Sequence, residues 1–488
     1  MRESGVLMPI FSLPSPYGIG SFSKDAYEFV DQLREAGQRV WQILPLGPTG
    51  YGDSPYQSFS TFAGNPYFID LDQLREEGLL TEEECRREER PVGPINYEEL
   101  YFQRFPLLHR AFMRFCRGEE YERFVRENAA WLPDYCLYMT CKNQEGGKSF
   151  LAWRPEWKNR EPEAMERVRE EYGEELEFYS FLQYEFRKQW DHLHAYANTQ
   201  GIRIIGDIPI YVALDSADTW SNPELFCIGE GKLPTGVAGC PPDAFSRTGQ
   251  LWGNPLFDWE YHKKTGYAWW LRRISHCFAL YDVVRIDHFR GFDEYYEIPY
   301  GNQTAEIGTW KPGPGMDLFR TVKERLGELP IIAEDLGFLT DSVRKLLADS
   351  GYPGMKVLQF AFDSREPSNY LPHTYPRNCV VYTGTHDNTT TRGWYHEIPK
   401  ESREFAKEYL HTRSLEEDTL AWNFIALAMS SVADLCIIPM QDYLCLDESA
   451  RINRPSTLGG NWVWRMERGA VTKELLARIK RMTEVYGR

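Results

Sequence analysis

The sequence predicts an α/β chain folded as a (β/α)8 TIM barrel, with large helical and loop insertions on its C-terminal rim and no separate C-terminal β-domain. Three observations lead there. Eight short apolar runs, rich in β-branched or aromatic residues, each end in polar ones. Helical patterns lie before and between those runs. Acidic residues stand at the ends of several of them, where barrels of this kind carry their sites.

The runs are 39–46 (RVWQILPL), 135–141 (YCLYMTC), 202–208 (IRIIGDI), 281–287 (YDVVRID), 330–335 (PIIAED), 354–361 (GMKVLQFA), 378–384 (NCVVYTG) and 435–440 (LCIIPM). Runs of this length, bounded by turn residues, read as strands buried on both faces of a parallel sheet. In 24–36, Ala26, Phe29, Val30 and Leu33 fall on one helical face, with Ser23 as N-cap and Gly37 past the end. Residues 317–326 read as a helix stopped by Gly327. Residues 342–349 read as another, with Asp341 as its cap and Gly351 beyond. Strands alternating with helices imply right-handed βαβ units. An open doubly wound sheet is the alternative, but no GxGxxG follows the first strand.

The connections are uneven. The whole chain, 1–488, reads as one barrel, with helical insertions across 48–133 and 142–200. A third insertion, 212–276, is rich in Gly, Pro and aromatics, and is the candidate active-site lid. About 50 residues follow the last run, and they read as helix (KELLARIKRM).

Composition narrows the function. A net charge of −17 opposes nucleic acid and anionic membranes, and no Lys/Arg-rich run offsets it. No stretch of about 20 uncharged apolar residues occurs, so no membrane span is expected. The N-terminus lacks a secretory pattern. Ten scattered cysteines, with no CxxC pair, point to reduced thiols in a cytoplasm and away from zinc or disulfides. No phosphate loop, cofactor signature or metal cluster is visible, so no cofactor and no metal are expected. Aromatic residues, 15% of the chain, suit the apolar faces of sugar rings and equally suit a large core.

Asp207, Asp287, Glu334 and Asp387 stand at strand ends. In VVRIDHFRG the alternation of a strand puts Val283, Arg285 and Asp287 on one face. A guanidinium beside Asp287 favours its ionised form, which suits a nucleophile; a structural core ion pair is the plainer reading. Glu334 ends the apolar strand PIIAED, where desolvation raises its pKa as a general acid needs. Asp335 faces the other way and reads as structural. His386 and Asp387 in TGTHDN could hold ring hydroxyls. Two carboxylates flanking a glycosidic bond are the minimum for hydrolysis or transfer, and a retaining pair stands about 5–5.5 Å apart.

These segments closely resemble the amylomaltase family of 4-α-glucanotransferases, the disproportionating enzymes of the α-amylase clan. The resemblance runs in order through QILPLGPTGYGDSPYQSFSTFAGNPY (42–67), GDIPIYVALDSADTW (206–220), PPDAFSRTGQLWGNPLFDW (241–259), VVRIDHFRG, AEDLG, VLQFAFD (357–363), TGTHDN and INRPSTLGGNWVWR (452–465). It implies Asp287 as nucleophile, Glu334 as acid/base and Asp387 as transition-state stabiliser. It implies sugar contacts from Arg285, His386, Tyr56, Ser54, Asp207, Asp363 and Asn461. It also implies a loop over the active site, with Phe245, Gln250 and Trp252 facing substrate. Ser456 stands where the resemblance leads one to expect Gly.

The activity so implied is retaining transfer of a glucanosyl unit from an α-1,4-glucan donor to a sugar acceptor. Two alternatives remain at this level: an α-glucan hydrolase using the same intermediate, and a non-catalytic glucan-binding barrel.

Overall fold

The computed structural model describes residues 2–50, 52–242, 246–337, 339–363 and 368–488. Eight parallel strands form its centre: β1 (Glu3–Leu7), β2 (Val40–Gln42), β3 (Arg203–Pro209), β4 (Val283–Asp287), β5 (Ile331–Ala333), β6 (Gly354–Val357), β7 (Cys379–Tyr382) and β8 (Leu435–Pro439). Each pairs with its neighbours in sequence order except β5 with β6, and β1 also pairs with β8. The Ala333 N–H donates to Pro353 O at 3.0 Å and joins β5 to the start of β6, so the sheet closes as the (β/α)8 barrel that the sequence predicts.

The lumen is filled from every strand. Leu7, Val40, Ile205, Val283, Ile332, Met355, Val357, Val380, Tyr382 and Ile437 form one buried cluster. Val284 and Ile286, one residue out of phase, belong instead to the outer core under the helices. This period of two sends Arg285 and Asp287 up the lumen above Val283. Gly5 in β1 is required by close approach: a Cβ there would meet Val40 O at 2.4 Å.

Seven of the eight expected strands are present, and one is corrected. Residues 135–141 lie in the helix Leu132–Gln144, and the missing strand is β1 at the N-terminus. The expected insertions 48–133 and 142–200 are therefore one excursion between β2 and β3. It is largely helical, from Leu71–Glu76 to the long Gly173–Thr199.

The helix Lys24–Glu35 is capped by Ser23, whose side chain accepts from the Asp25 N–H. Such a cap contributes about 1 kcal/mol. Met316–Leu326 ends at Gly327. The cap of Asp341–Ser350 is Thr340 rather than Asp341, and Gly351 closes it with a left-handed φ of 71°.

The third insertion is more regular than its Gly/Pro content implies. Its strands Gly236–Cys240 and Gln250–Pro255 join Glu294–Pro299 and Thr309–Pro312 in a four-stranded antiparallel sheet. That sheet lies between β3 and β4 and beyond β4 in the chain, so it sits on the rim. After β8 the only regular elements among the described residues are helices, ending with Lys473–Tyr486. No helix among the described residues is long and apolar enough to cross a membrane.

Candidate active site

The lumen residues of β3 and β4 build the site from below. Asp207 is fully buried, and both its oxygens accept from Arg285 Nη1, at 2.7 and 2.6 Å. Arg285 Nη2 donates to Asp287 Oδ1 at 2.9 Å, and Nε lies 3.3 Å from Met355 Sδ. Burial alone would depress the guanidinium. The charges of Asp207 and Asp287 more than offset it and keep Arg285 cationic. Arg285 thus stands between two carboxylates from adjacent strands, one of them beneath the site and the other at its mouth.

Asp287 is the more open of the two, with 29% of its side chain exposed. Burial pushes its pKa up, Arg285 opposes that, and Asp207 and Asp387 add to it, for a result of about 6. The sequence expectation of a lowered pKa is corrected on that point: the guanidinium acts in the expected direction, but desolvation outweighs it.

Glu334 follows β5 and carries no such partner. Its Oε2 accepts from the His288 N–H at 2.7 Å and its Oε1 from the Leu336 N–H at 2.8 Å. Burial, then the Asp287 charge, raise its pKa to about 8, against the pull of Arg285 and the two backbone donors. His288 adopts a left-handed φ of 53°, which costs about 1 kcal/mol or more and turns its N–H onto Glu334. Asp335, as expected, is structural: its Oδ1 accepts from the Met355 N–H at 2.6 Å.

The far wall comes from β7 and the rim. Tyr56 Oη lies 2.8 Å from both Asp207 Oδ2 and His386 Nε2. The carboxylate can only accept, so we assign the phenol hydrogen to Asp207 and an Nε2–H tautomer to His386. The two rings stack at 5.2 Å and 12°, and Trp462 packs beside both. Asp387 Oδ2 lies 3.4 Å from His386 Nε2, and its Oδ1 accepts from Asn453 Nδ2 at 2.6 Å. Arg451 Nη2 donates to the Asp387 carbonyl.

Asp287, Glu334, Asp387, Arg285, His386 and Tyr56 thus meet at one barrel mouth. Several other residues named from the sequence are placed differently. Asp207 contacts Arg285 and Tyr56 from a fully buried position beneath the mouth. The Ser54 hydroxyl accepts from the Tyr56 N–H at 3.3 Å and shapes the turn that presents the ring. Gln250 Oε1 accepts from Trp252 Nε1 at 3.1 Å, and Trp252 stands edge-on to His288 at 4.8 Å. Asp363 is half-buried just after the turn Leu358–Phe360. Asn461 ties its own loop, accepting from the Arg454 N–H and donating to Thr457 O. Phe245 lies outside the described residues.

Asn453 and Arg451 were not singled out from the sequence. Asn453 sits within INRPSTLGGNWVWR and Arg451 just before it, but their target lies more than sixty residues earlier, and nothing local reveals it. Ser456, where Gly is expected, adopts a left-handed φ of 63°, a conformation that favours Gly.

The comparisons with known proteins agree along the whole chain. A family model described as 4-alpha-glucanotransferase matches residues 8–472. The 4-alpha-glucanotransferase of Clostridium butyricum is 49% identical, over 99% of this chain and 100% of its own length. That of Thermus thermophilus is 46% identical, over 100% and 99%. The solved amylomaltase from Streptococcus agalactiae in complex with acarbose superposes with a TM-score of 0.97 at 42% identity, covering 100% of both chains. The family resemblance seen in the motifs is borne out, and this chain belongs to the 4-alpha-glucanotransferase family.

Proposed function

We propose that this protein is a retaining 4-α-glucanotransferase that cuts α-1,4-glucosidic bonds in a donor glucan and passes the released unit to the 4-hydroxyl of an acceptor sugar. The observation that carries this reading is the split between its two central carboxyls. Asp287 is anchored to a guanidinium, while Glu334 is held by backbone N–H groups with a pKa about two above it. Near neutrality the first is ionised and the second retains its proton.

An Asp287 carboxylate oxygen attacks the anomeric carbon. The glycosidic C–O bond breaks, and Glu334 gives its proton to the leaving oxygen. A glycosyl ester forms on Asp287. The acceptor hydroxyl then attacks the same carbon, its proton passes to the Glu334 carboxylate, and the ester bond breaks. Asp387, oriented by Asn453, stabilises the positive charge that develops on the ring and binds its hydroxyls. The buried Arg285 stabilises Asp287 as it departs.

Transfer rather than hydrolysis requires that water be kept from the ester and that a sugar be held in its place. The segment 212–276, with Trp252 packed against His288 next to the nucleophile, supports a covering role for that insertion. The whole chain then acts as one barrel with its helical excursion at the side. Ten scattered cysteines with no CxxC pair support a reducing cytoplasm as its location.

Incubation with maltotriose tests the reading. A transferase produces glucose and a ladder of longer oligomers at nearly constant reducing ends. Steadily rising reducing ends would assign it as a hydrolase instead.

A further inference from the structure

The loop after β7, residues 383–391 (TGTHDNTTT), carries His386 and Asp387, and the segment after β8 grips it. The middle of the loop is tied twice. Arg451 Nη2 donates to the Asp387 carbonyl at 2.7 Å, and the Asn453 N–H to the His386 carbonyl at 3.1 Å. The two ends of the loop meet at one group that has no part in the steps above, the carboxyl of Asp442.

Asp442 lies in the short helix Met440–Tyr443, directly after β8, and is only 1% exposed. Its Oδ2 accepts from Thr383 Oγ1 and, at 2.6 Å, from Thr391 Oγ1. Its Oδ1 accepts from the Thr391 N–H at 2.8 Å. Thr383 follows β7, and Thr391 opens the helix Thr391–Glu397. A buried carboxyl is costly unless it is hydrogen-bonded, and here burial is opposed by the bonds from Thr383 and Thr391.

The two strands do not need this link. β7 and β8 already pair from Val380 with Leu435 to Tyr382 with Ile437. The Asp442 contacts begin where that ladder stops, so they bear on the loop.

The loop is also stiff enough to pass on a shift of its ends. The Thr385 N–H and Oγ1 both donate to Asn388 Oδ1 at 2.9 Å. Gln359 Nε2 donates to Thr389 O at 2.9 Å, and Gly384 leaves room for it, since a Cβ there would meet Gln359 Nε2 at 2.6 Å. Movement at Thr383 or Thr391 is therefore carried to His386 and Asp387.

Only a carboxylate serves all three donors at once. An amide in its place turns its NH2 either to the Thr391 N–H, donor against donor, or to two hydroxyls that already donate. One end of the loop then loses its anchor while the size of the side chain is unchanged.

We infer that Asp442 is a positioning residue for the transfer reaction: it holds both ends of 383–391 and so fixes His386 and Asp387 in the geometry that the transition state requires. This rests on the proposed role of Asp387. Steady-state transfer from α-maltosyl fluoride to glucose, measured for the native protein, Asp442→Asn, Asp387→Ala and the double variant, tests it. Asp442→Asn alone is expected to lower kcat on the order of 10–100-fold, as misplacement of a catalytic group does. KM should stay within about threefold, because the lost contact acts in the transition state. In the Asp387→Ala background the same substitution should cost less than about threefold more, because the group it positions is gone. Thr383→Val removes the hydroxyl at one end of the loop at the same size, should behave alike, and decides the matter where Asp442→Asn does not fold. An equal loss of kcat in both backgrounds, or no loss in either, overturns the inference and leaves the proposed function intact. An unchanged kcat in Asp387→Ala alone would overturn the proposed role of Asp387 and the inference with it.

Discussion

The ends of β4 and β5 lie side by side, and each carries one carboxyl in a desolvated place. At β4 the carboxyl is bound to a charged partner on its own strand, Arg285. At β5 it is bound by two backbone N–H groups and faces the charge of its neighbour. Desolvation at both ends, with unequal partners, gives Asp287 a pKa near 6 and Glu334 one near 8. The difference teaches that division of labour here comes from what each strand end is offered to pair with, since both residues bear the same functional group.

That comparison breaks most completely by removing the charge at β4. Asp287→Asn is expected to cost about 10⁴-fold or more in kcat/KM on maltotriose, as for loss of other catalytic nucleophiles. Glu334→Gln is expected to cost about 10²–10⁴-fold on maltotriose. Its formation of the ester from α-maltosyl fluoride should be far less impaired, because fluoride leaves without a proton. Steady-state kinetics on the two donors checks both expectations.

Arg285→Gln sharpens the contrast without touching either carboxyl. It leaves Asp207 and Asp287 as buried charges without their cation, so denaturant unfolding should show a loss of about 3–5 kcal/mol. The pH profile reads the same change. In the native enzyme kcat/KM should rise as Asp287 loses its proton near 6 and fall as Glu334 loses its own near 8. Without Arg285 the acid limb must move to higher pH, because the main group that holds the Asp287 carboxylate down has gone.

Asn453→Ala is the smallest perturbation. It frees one oxygen of Asp387 from a 2.6 Å donor and is expected to lower kcat about tenfold, with the pH limbs in place.

Much of the barrel was legible because its strands are short, apolar and bounded by turns. The one exchange of strands has a physical cause. YCLYMTC belongs to a helix buried around most of its circumference, including Tyr135, Cys136, Leu137, Tyr138, Thr140 and Cys141, so it shows no amphipathic period. β1 reads ESGVL, with a polar start and a glycine, and resembles a strand only once Val40 and Ile437 pack against it. The rim sheet was hidden in Gly- and Pro-rich segments from two separate connections. The carboxyls could be found from their position at strand ends. Their partners could not: Asn453 reaches Asp387 and Tyr56 reaches Asp207 across the fold, and the extent of burial, which lifts Asp287 despite Arg285, is a property of the whole barrel mouth.

The division between the two strand ends is tested most directly by trapping the ester. Glu334→Gln protein mixed with α-maltosyl fluoride should accumulate a covalent adduct, because the base that activates the acceptor has been removed. Peptide mass spectrometry is expected to find a maltosyl increment on the peptide that contains Asp287. An increment on a different carboxyl, or turnover of the fluoride with no adduct at any time, would contradict the account.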